Sequence, residues 1–133
     1  MEYKTFGRHV LADVWGVEFN RINDIEFLKE HMYKAAKKSG ATILAIEYKT
    51  FDPYGASVFI LLSESHLSIH TYPEKGFAAI DGYTCGENID PEDAINYLLT
   101  IFEPEKIFIS KIIRGTGELK IVTNSQLNNN SED

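Results

Sequence analysis

Cysteine is almost absent from this sequence: Cys85 stands alone, which excludes an intrachain disulfide and any zinc finger built on cysteines. Long apolar runs are missing too. The longest, Val58-Phe59-Ile60-Leu61-Leu62, falls far short of the roughly 20 residues that cross a bilayer, so no membrane partner is expected. Basic charge is scarce, with 13 lysines and arginines against 20 aspartates and glutamates and a formal charge of −7. Those basic residues form no stripe, and without one the phosphate neutralisation that drives nucleic-acid binding has no footing. No internal repeat divides the chain. The opening residues MEYKTFGRHV hold no apolar signal segment, so a reducing, cytoplasmic setting is the expectation. What is present is core material: 133 residues, 44% hydrophobic and 12% aromatic, enough for one domain that buries roughly two thirds of its unfolded surface.

The alternation of Val10, Ala12 and Val14 with His9, Leu11 and Asp13 predicts a strand from Arg8 to Trp15. Ile25, Leu28, Met32, Ala35 and Ala36 recur at helical spacing, behind a capping Asn23 or Asp24 and ahead of Lys37, Lys38 and Gly40, which predicts a helix from Asp24 to Lys38. Thr42 to Phe51 and Ser57 to Leu62, rich in β-branched and aromatic residues, read as a hairpin around Asp52-Pro53-Tyr54-Gly55. His66 to Thr71 and Phe77 to Thr84 form a second pair around Pro73-Glu74-Lys75-Gly76. A helix follows from Asp90, with Pro91 at its first position, to Phe102, and then strands at Lys106 to Ile113 and Glu118 to Val122.

Strands gathered into hairpins, with only two helices, predict an α+β domain: an antiparallel sheet covered by helices on one face. The other face then lacks cover, and a second protomer in a closed two-fold dimer supplies it most simply. The domain is read as residues 1–123. The polar stretch 124–133 buries too little to order itself and is expected to be a disordered tail.

Chemical density peaks at Leu62-Ser63-Glu64-Ser65-His66-Leu67-Ser68-Ile69-His70-Thr71, where two strands meet. On a strand His66, Ser68 and His70 share one face, opposite Leu67 and Ile69. A metal site is disfavoured, because two histidines four apart on a strand lie roughly 13 Å from each other and would need Cys85 or Asp81 to supply nearby ligands. Serine hydrolysis is weaker still, since no G-x-S-x-G elbow is present. A third possibility uses the peptide bond itself. The hydroxyl of Ser65 can attack the carbonyl of Glu64, and the ester can eliminate to leave a carbonyl at a new N-terminus, given a hydroxyl donor such as Ser57 or Ser63 and a proton-transfer group such as His70.

Four motifs in order, Gly7-Arg8-His9, Phe51-Asp52-Pro53-Tyr54-Gly55-Ala56-Ser57, the stretch from Ser63 to Glu74, and Asp81-Gly82-Tyr83-Thr84-Cys85-Gly86, resemble the short bacterial and archaeal S-adenosylmethionine decarboxylases. The resemblance implies a proenzyme that cleaves itself between Glu64 and Ser65 into a β chain, 1–64, and an α chain, 65–133, with Ser65 becoming a covalent pyruvoyl group. It assigns Ser57 and His70 to processing and Cys85 as the catalytic acid. The amine of S-adenosylmethionine would form a Schiff base with the pyruvoyl carbonyl, lose carbon dioxide and be protonated by Cys85, yielding the aminopropyl donor for spermidine synthesis. Phe51 would stack on adenine and face the sulfonium, with His70 flanking the base, Glu74 would hold the ribose hydroxyls, and backbone around Leu67 would read the adenine edge. The family dimer packs sheet against sheet as four αββα layers, with sites shared across the interface. Tyr72 departs from the tryptophan of some members.

Taken singly, each residue has an ordinary role: Cys85 a small buried side chain, His70 an interface imidazole, Ser57 and Ser65 plain strand residues, Glu74 a solvated turn carboxylate, Phe51 a core aromatic. Gly115-Thr116-Gly117 reads as a turn, since a phosphate loop would need a lysine and a following helix. Joint occurrence in order carries the functional case. Two other functions share the scaffold: pyruvoyl decarboxylation of arginine or ornithine, and an unprocessed, non-catalytic dimerisation subunit.

Overall fold

The computed structural model describes residues 5–128. Its strands are β1 (Gly7–Trp15), β2 (Ile43–Thr50), β3 (Ala56–Leu62), β4 (Ser65–Tyr72), β5 (Phe77–Cys85), β6 (Lys106–Arg114) and β7 (Lys120–Asn128). They form one antiparallel sheet in the order β2-β3-β4-β5-β1-β6-β7. β1 enters between β5 and β6, so the N-terminal strand is central and its motif Gly7-Arg8-His9 lies beside the end of β5.

The helices α1 (Phe19–Ile22), α2 (Ile25–Lys38) and α3 (Pro91–Phe102) cover one face. The side chain of Asp24 accepts hydrogen bonds from the N–H groups of Glu26 and Phe27 and starts α2, while Asp90 accepts from the N–H of Glu92 and Pro91 opens α3. Leu28, Met32, Ala35 and Ala36 of α2 and Ile95, Leu98 and Phe102 of α3 are buried against Val10, Val14, Val58, Ile60, Leu67, Ile69 and Ile80 of the sheet. The α+β class and the one-sided helix cover are as expected from the sequence.

Two features depart from expectation. The single turn α1 escapes periodicity, yet it buries Ile22, and Arg21 reaches the carbonyls of Ile101 and Phe102. The tail is the second. β7 runs on past residue 123, with Ser125, Gln126 and Leu127 opposite Ile109, Phe108 and Ile107 of β6. An edge strand need bury little, because its ladder already satisfies the backbone on one side. Residues 129–133 of the expected tail lie outside the described residues.

The face away from the helices carries Leu11, Trp15, Phe59, Leu61, Tyr72 and Phe108, whose exposure runs from 37% at Leu11 to 48% at Tyr72. Single exposed apolar side chains are ordinary, but six on one face of one sheet make a patch. None of the described helices is long and apolar enough to cross a membrane.

Candidate active site

The period of two along β4 buries Leu67, Ile69 and Thr71 under the helices and turns His66, Ser68 and His70 to the open face. The same alternation on β5 turns Asp81, Tyr83 and Cys85 to that face. Three groups of side chains result.

The first lies where β3 turns into β4. Ser65 has φ 146°, and only Glu103 shares a positive φ among the described non-glycine residues. Such a backbone costs about 1–3 kcal/mol and persists only where its surroundings enforce it. Here they do: the N–H of Ser63 donates to the Thr42 carbonyl at 2.9 Å, and the N–H of Thr42 donates to Glu64 Oε1 at 3.1 Å. The carbonyl of Glu64, one half of the Glu64–Ser65 peptide bond, accepts from the N–H of Cys85 at 2.9 Å. The Ser65 hydroxyl lies 3.7 Å from the Cys85 thiol. A strained backbone at Ser65, the hydroxyl of that residue, a donor on the preceding carbonyl and a free thiol therefore converge on one spot.

The second group is a hydrogen-bonded network in the middle of the open face. Asp81 accepts from His9 Nε2 at 2.8 Å, from His66 Nε2 at 3.4 Å and from the Ser68 hydroxyl. Burial pushes the Asp81 carboxyl up, but the bonds from His9, Ser68 and His66 outweigh it and hold the group at about 2. Among the described residues His9, His66 and Asp81 are the one set of three ligand-type atoms within 4.8 Å of one another. Arg114 donates to His9 Nδ1 at 3.1 Å, which leaves the proton of neutral His9 on Nε2, pointing at Asp81. The set forms one hydrogen-bonded network that joins Arg114, His9, Asp81, His66 and Ser68.

The third group lines a cavity of about 550 Å³ formed by Phe51, Tyr54, Ala56, Ser57, His70, Thr71, Tyr72 and Glu74. Ser57 Oγ and His70 Nδ1 share a 2.7 Å hydrogen bond across the β3–β4 ladder, where the two residues are register partners. The turn carrying Phe51 and Tyr54 is pinned by Phe51 N–H on the Gly55 carbonyl and by Gly55 N–H on Asn23 Oδ1, both bonds 3.0 Å or shorter. Glu74 sits on the single 3-10 turn Pro73–Lys75 that ends β4.

The structure therefore joins Ser65, Glu64 and Cys85, and separately joins Phe51, Ser57, His70 and Glu74. It does not join the two sets within one protomer: His70 lies five residues along β4 from Ser65, roughly 17 Å at about 3.4 Å per residue. Leu67 belongs to neither set, because its side chain is buried in the core and its backbone lies mid-ladder between Ile60 and Gly82. Sequence reasoning missed His9, Tyr83 and Arg114 as members of the open-face groups. Alternation alone would have placed His9 there, opposite the buried Val10.

A family profile described as S-adenosylmethionine decarboxylase matches residues 8–115. The S-adenosylmethionine decarboxylase proenzyme of Brevibacillus brevis is 60% identical over 122 residues, 92% of either chain. That of Symbiobacterium thermophilum is 46% identical over 127 residues, 96% of either chain. The crystal structure of the adenosylmethionine decarboxylase from Aquifex aeolicus superposes with a TM-score of 0.75 at 37% identity, covering 92% of this chain and 99% of that one. Profile, sequence and fold agree over nearly the whole length, and this chain belongs to the S-adenosylmethionine decarboxylase family.

Proposed function

We propose that this chain is a self-processing decarboxylase of S-adenosylmethionine, cut between Glu64 and Ser65 and completed by a second copy of itself. The observation that carries it is the Glu64–Ser65 bond: strained at Ser65, hydrogen-bonded at its carbonyl by Cys85 N–H, and next to the Cys85 thiol. Attack of the Ser65 hydroxyl on the Glu64 carbonyl relieves the strain, and the N–H of Cys85 already points at the oxygen on which negative charge develops. Elimination of the resulting ester frees Glu64 as a carboxylate, and hydrolysis at the new terminus adds water and releases ammonia to leave a pyruvoyl group. The pyruvoyl carbonyl supplies the electron sink that decarboxylation needs.

The protein's own groups do the rest. The Cys85 thiol, within reach of the Ser65 position, donates a proton to the carbon that has lost carbon dioxide. Phe51, half exposed at the mouth of the cavity, offers its ring to the adenine and its face to the sulfonium cation. Glu74 accepts hydrogen bonds from the ribose hydroxyls, and the hydrogen-bonded pair Ser57–His70 moves protons during processing. A stacking ring beside a diol acceptor favours a nucleoside over arginine or ornithine, which have neither a base nor vicinal hydroxyls. A thiol acid also suits the reducing cytoplasm.

The two sets of residues meet only between protomers. Two open faces stacked about a two-fold axis, as four αββα layers, bring the Ser65–Cys85 end of one sheet over the Phe51–His70 end of the other and cover the exposed apolar patch.

Intact mass under denaturing conditions, followed by a carboxyl-label assay, tests this. The expected result is two chains, 1–64 and 65–133, the second without a free amine, and labelled carbon dioxide released from S-adenosylmethionine. A fully cleaved protein that releases none overturns the substrate; a chain that stays intact on prolonged incubation overturns the processing.

A further inference from the structure

We infer that Tyr83 is a positioning residue for the Cys85 thiol, and that residue 7 is glycine in order to let the Tyr83 hydroxyl reach that sulfur. Both roles rest on Cys85 being the proton donor proposed above.

Tyr83 and Cys85 are two residues apart on β5 and so share the open face. The Tyr83 hydroxyl lies 3.9 Å from Cys85 Sγ, a hydrogen bond of the length that sulfur makes. With Ser65 Oγ at 3.7 Å, the thiol sits between two hydroxyls, one at the reacting position and one behind it.

The ring is held in place from several sides. The Arg114 guanidinium stands 4.5 Å from its centroid, and the His9 and His66 rings lie 5.3 Å and 6.1 Å away. Across the ladder, Gly7 is the register partner of Cys85. A Cβ on Gly7 would lie 2.7 Å from Tyr83 Cε1 and 3.0 Å from the hydroxyl, so the ring occupies the volume that any other residue would fill. Gly7 has no positive φ, so its dihedrals would accept alanine; space is what calls for glycine here, taken up by the ring and by the Thr84 carbonyl oxygen, 3.1 Å from that Cβ. Packing alone would be met by phenylalanine. The hydroxyl is the part that packing does not explain, and among the described residues the thiol is its hydrogen-bond partner.

Burial, and next the hydrogen bond and charge of Cys85, push the Tyr83 hydroxyl up, so it stays protonated and available as a donor. When the Cys85 proton passes to the substrate carbon, the S–H bond breaks, a C–H bond forms, and the electron pair stays on sulfur. In the resting pair the thiol donates to the Tyr83 oxygen; once its proton has gone, the Tyr83 O–H turns to donate to the thiolate, a charge-assisted bond stronger than the neutral one it replaces. Its own O–H bond is not broken, and water returns the proton to sulfur. An interaction that strengthens as charge develops lowers the barrier rather than tightening substrate binding.

The test is Tyr83→Phe in the full chain, alone and in a Cys85→Ser background, with self-cleavage followed by intact mass and kcat and KM by carbon dioxide release. Cleavage is expected to run to completion, KM to stay within about twofold and kcat to fall about tenfold. In the Cys85→Ser background the same change is expected to cost no more than about twofold, because the groups act as a unit. Gly7→Ala keeps the hydroxyl but displaces it, and is expected to lower kcat in the same direction. A wild-type kcat for Tyr83→Phe, or an equal loss with and without Cys85, overturns the inference. Normal turnover by Cys85→Ala would instead remove the proton-donor assignment on which it stands, whereas an inactive Cys85→Ala beside a fully active Tyr83→Phe sinks the inference alone.

Discussion

The two faces of the sheet share every strand and almost nothing else. Under the helices, Val10, Val58, Ile60, Ile69 and Ile80 form a closed apolar layer, and the buried threonines there serve the backbone: Thr71 bonds the main chain of Ala56, and Thr84 the carbonyl of Ile89. On the open face, polar side chains bond one another, as in His9–Asp81–Ser68 and Ser57–His70, among exposed aromatics. One residue's shift along a strand separates a side chain packed under the helices from one on the open face. The contrast teaches that the apolar core and the polar networks are carried here by alternate residues of the same strands.

Variants can break or sharpen this contrast. The largest effect is expected for Ser65→Ala, which removes the attacking hydroxyl: the chain should remain whole by mass and release no carbon dioxide, while its circular dichroism matches wild type. Next, Cys85→Ala and Phe51→Ala should each be nearly inactive alone, yet a one-to-one mixture unfolded and refolded together should recover about a quarter of wild-type activity, because half the dimers would then hold one intact site. No recovery would place both residue sets in a single protomer's site. Third, Phe102→Ala on the helix side should cost about 3–5 kcal/mol in urea unfolding. Phe108→Ala on the open face should cost under about 1 kcal/mol at concentrations where protomers are separate, appearing instead in dimer dissociation. Equal costs on the two faces would erase the distinction.

A pH-dependent effect concerns Asp81. Its folded-state value of about 2 lies below the unfolded value of about 3.9, so its stabilisation is complete above the unfolded value and is lost as pH falls towards 2. With its side chain 27% exposed, Asp81→Asn should destabilise by roughly 1–2 kcal/mol at neutral pH, and that difference should shrink to nothing in acid unfolding series as the carboxyl of the parent is protonated. A pH-independent difference would mean that the network contributes through shape alone.

Elements and faces were legible in advance because they are set by neighbours in the chain. Asp24 and Asp90 cap the helices they precede, the alternation along β1 and β4 sorts core from open face, and two helices leave one face of the sheet bare. The α1 turn and the length of β7 were not legible: one turn has no period, and a polar edge strand is ordered by the partner it pairs with rather than by its own composition. Chemical density peaks from Leu62 to Thr71 in the sequence, but only the chain's three-dimensional path tells the two ends of that stretch apart.

What the sequence determined by itself, then, is which side chains exist and which face of the sheet each takes. Distance was decided by the tertiary structure. Ser65 and Cys85, 20 residues apart, come within 3.7 Å because antiparallel pairing of β4 with β5 folds the chain back on itself. Ser65 and His70, five apart, are held roughly 17 Å from each other because a strand is extended and cannot curl within its own ladder.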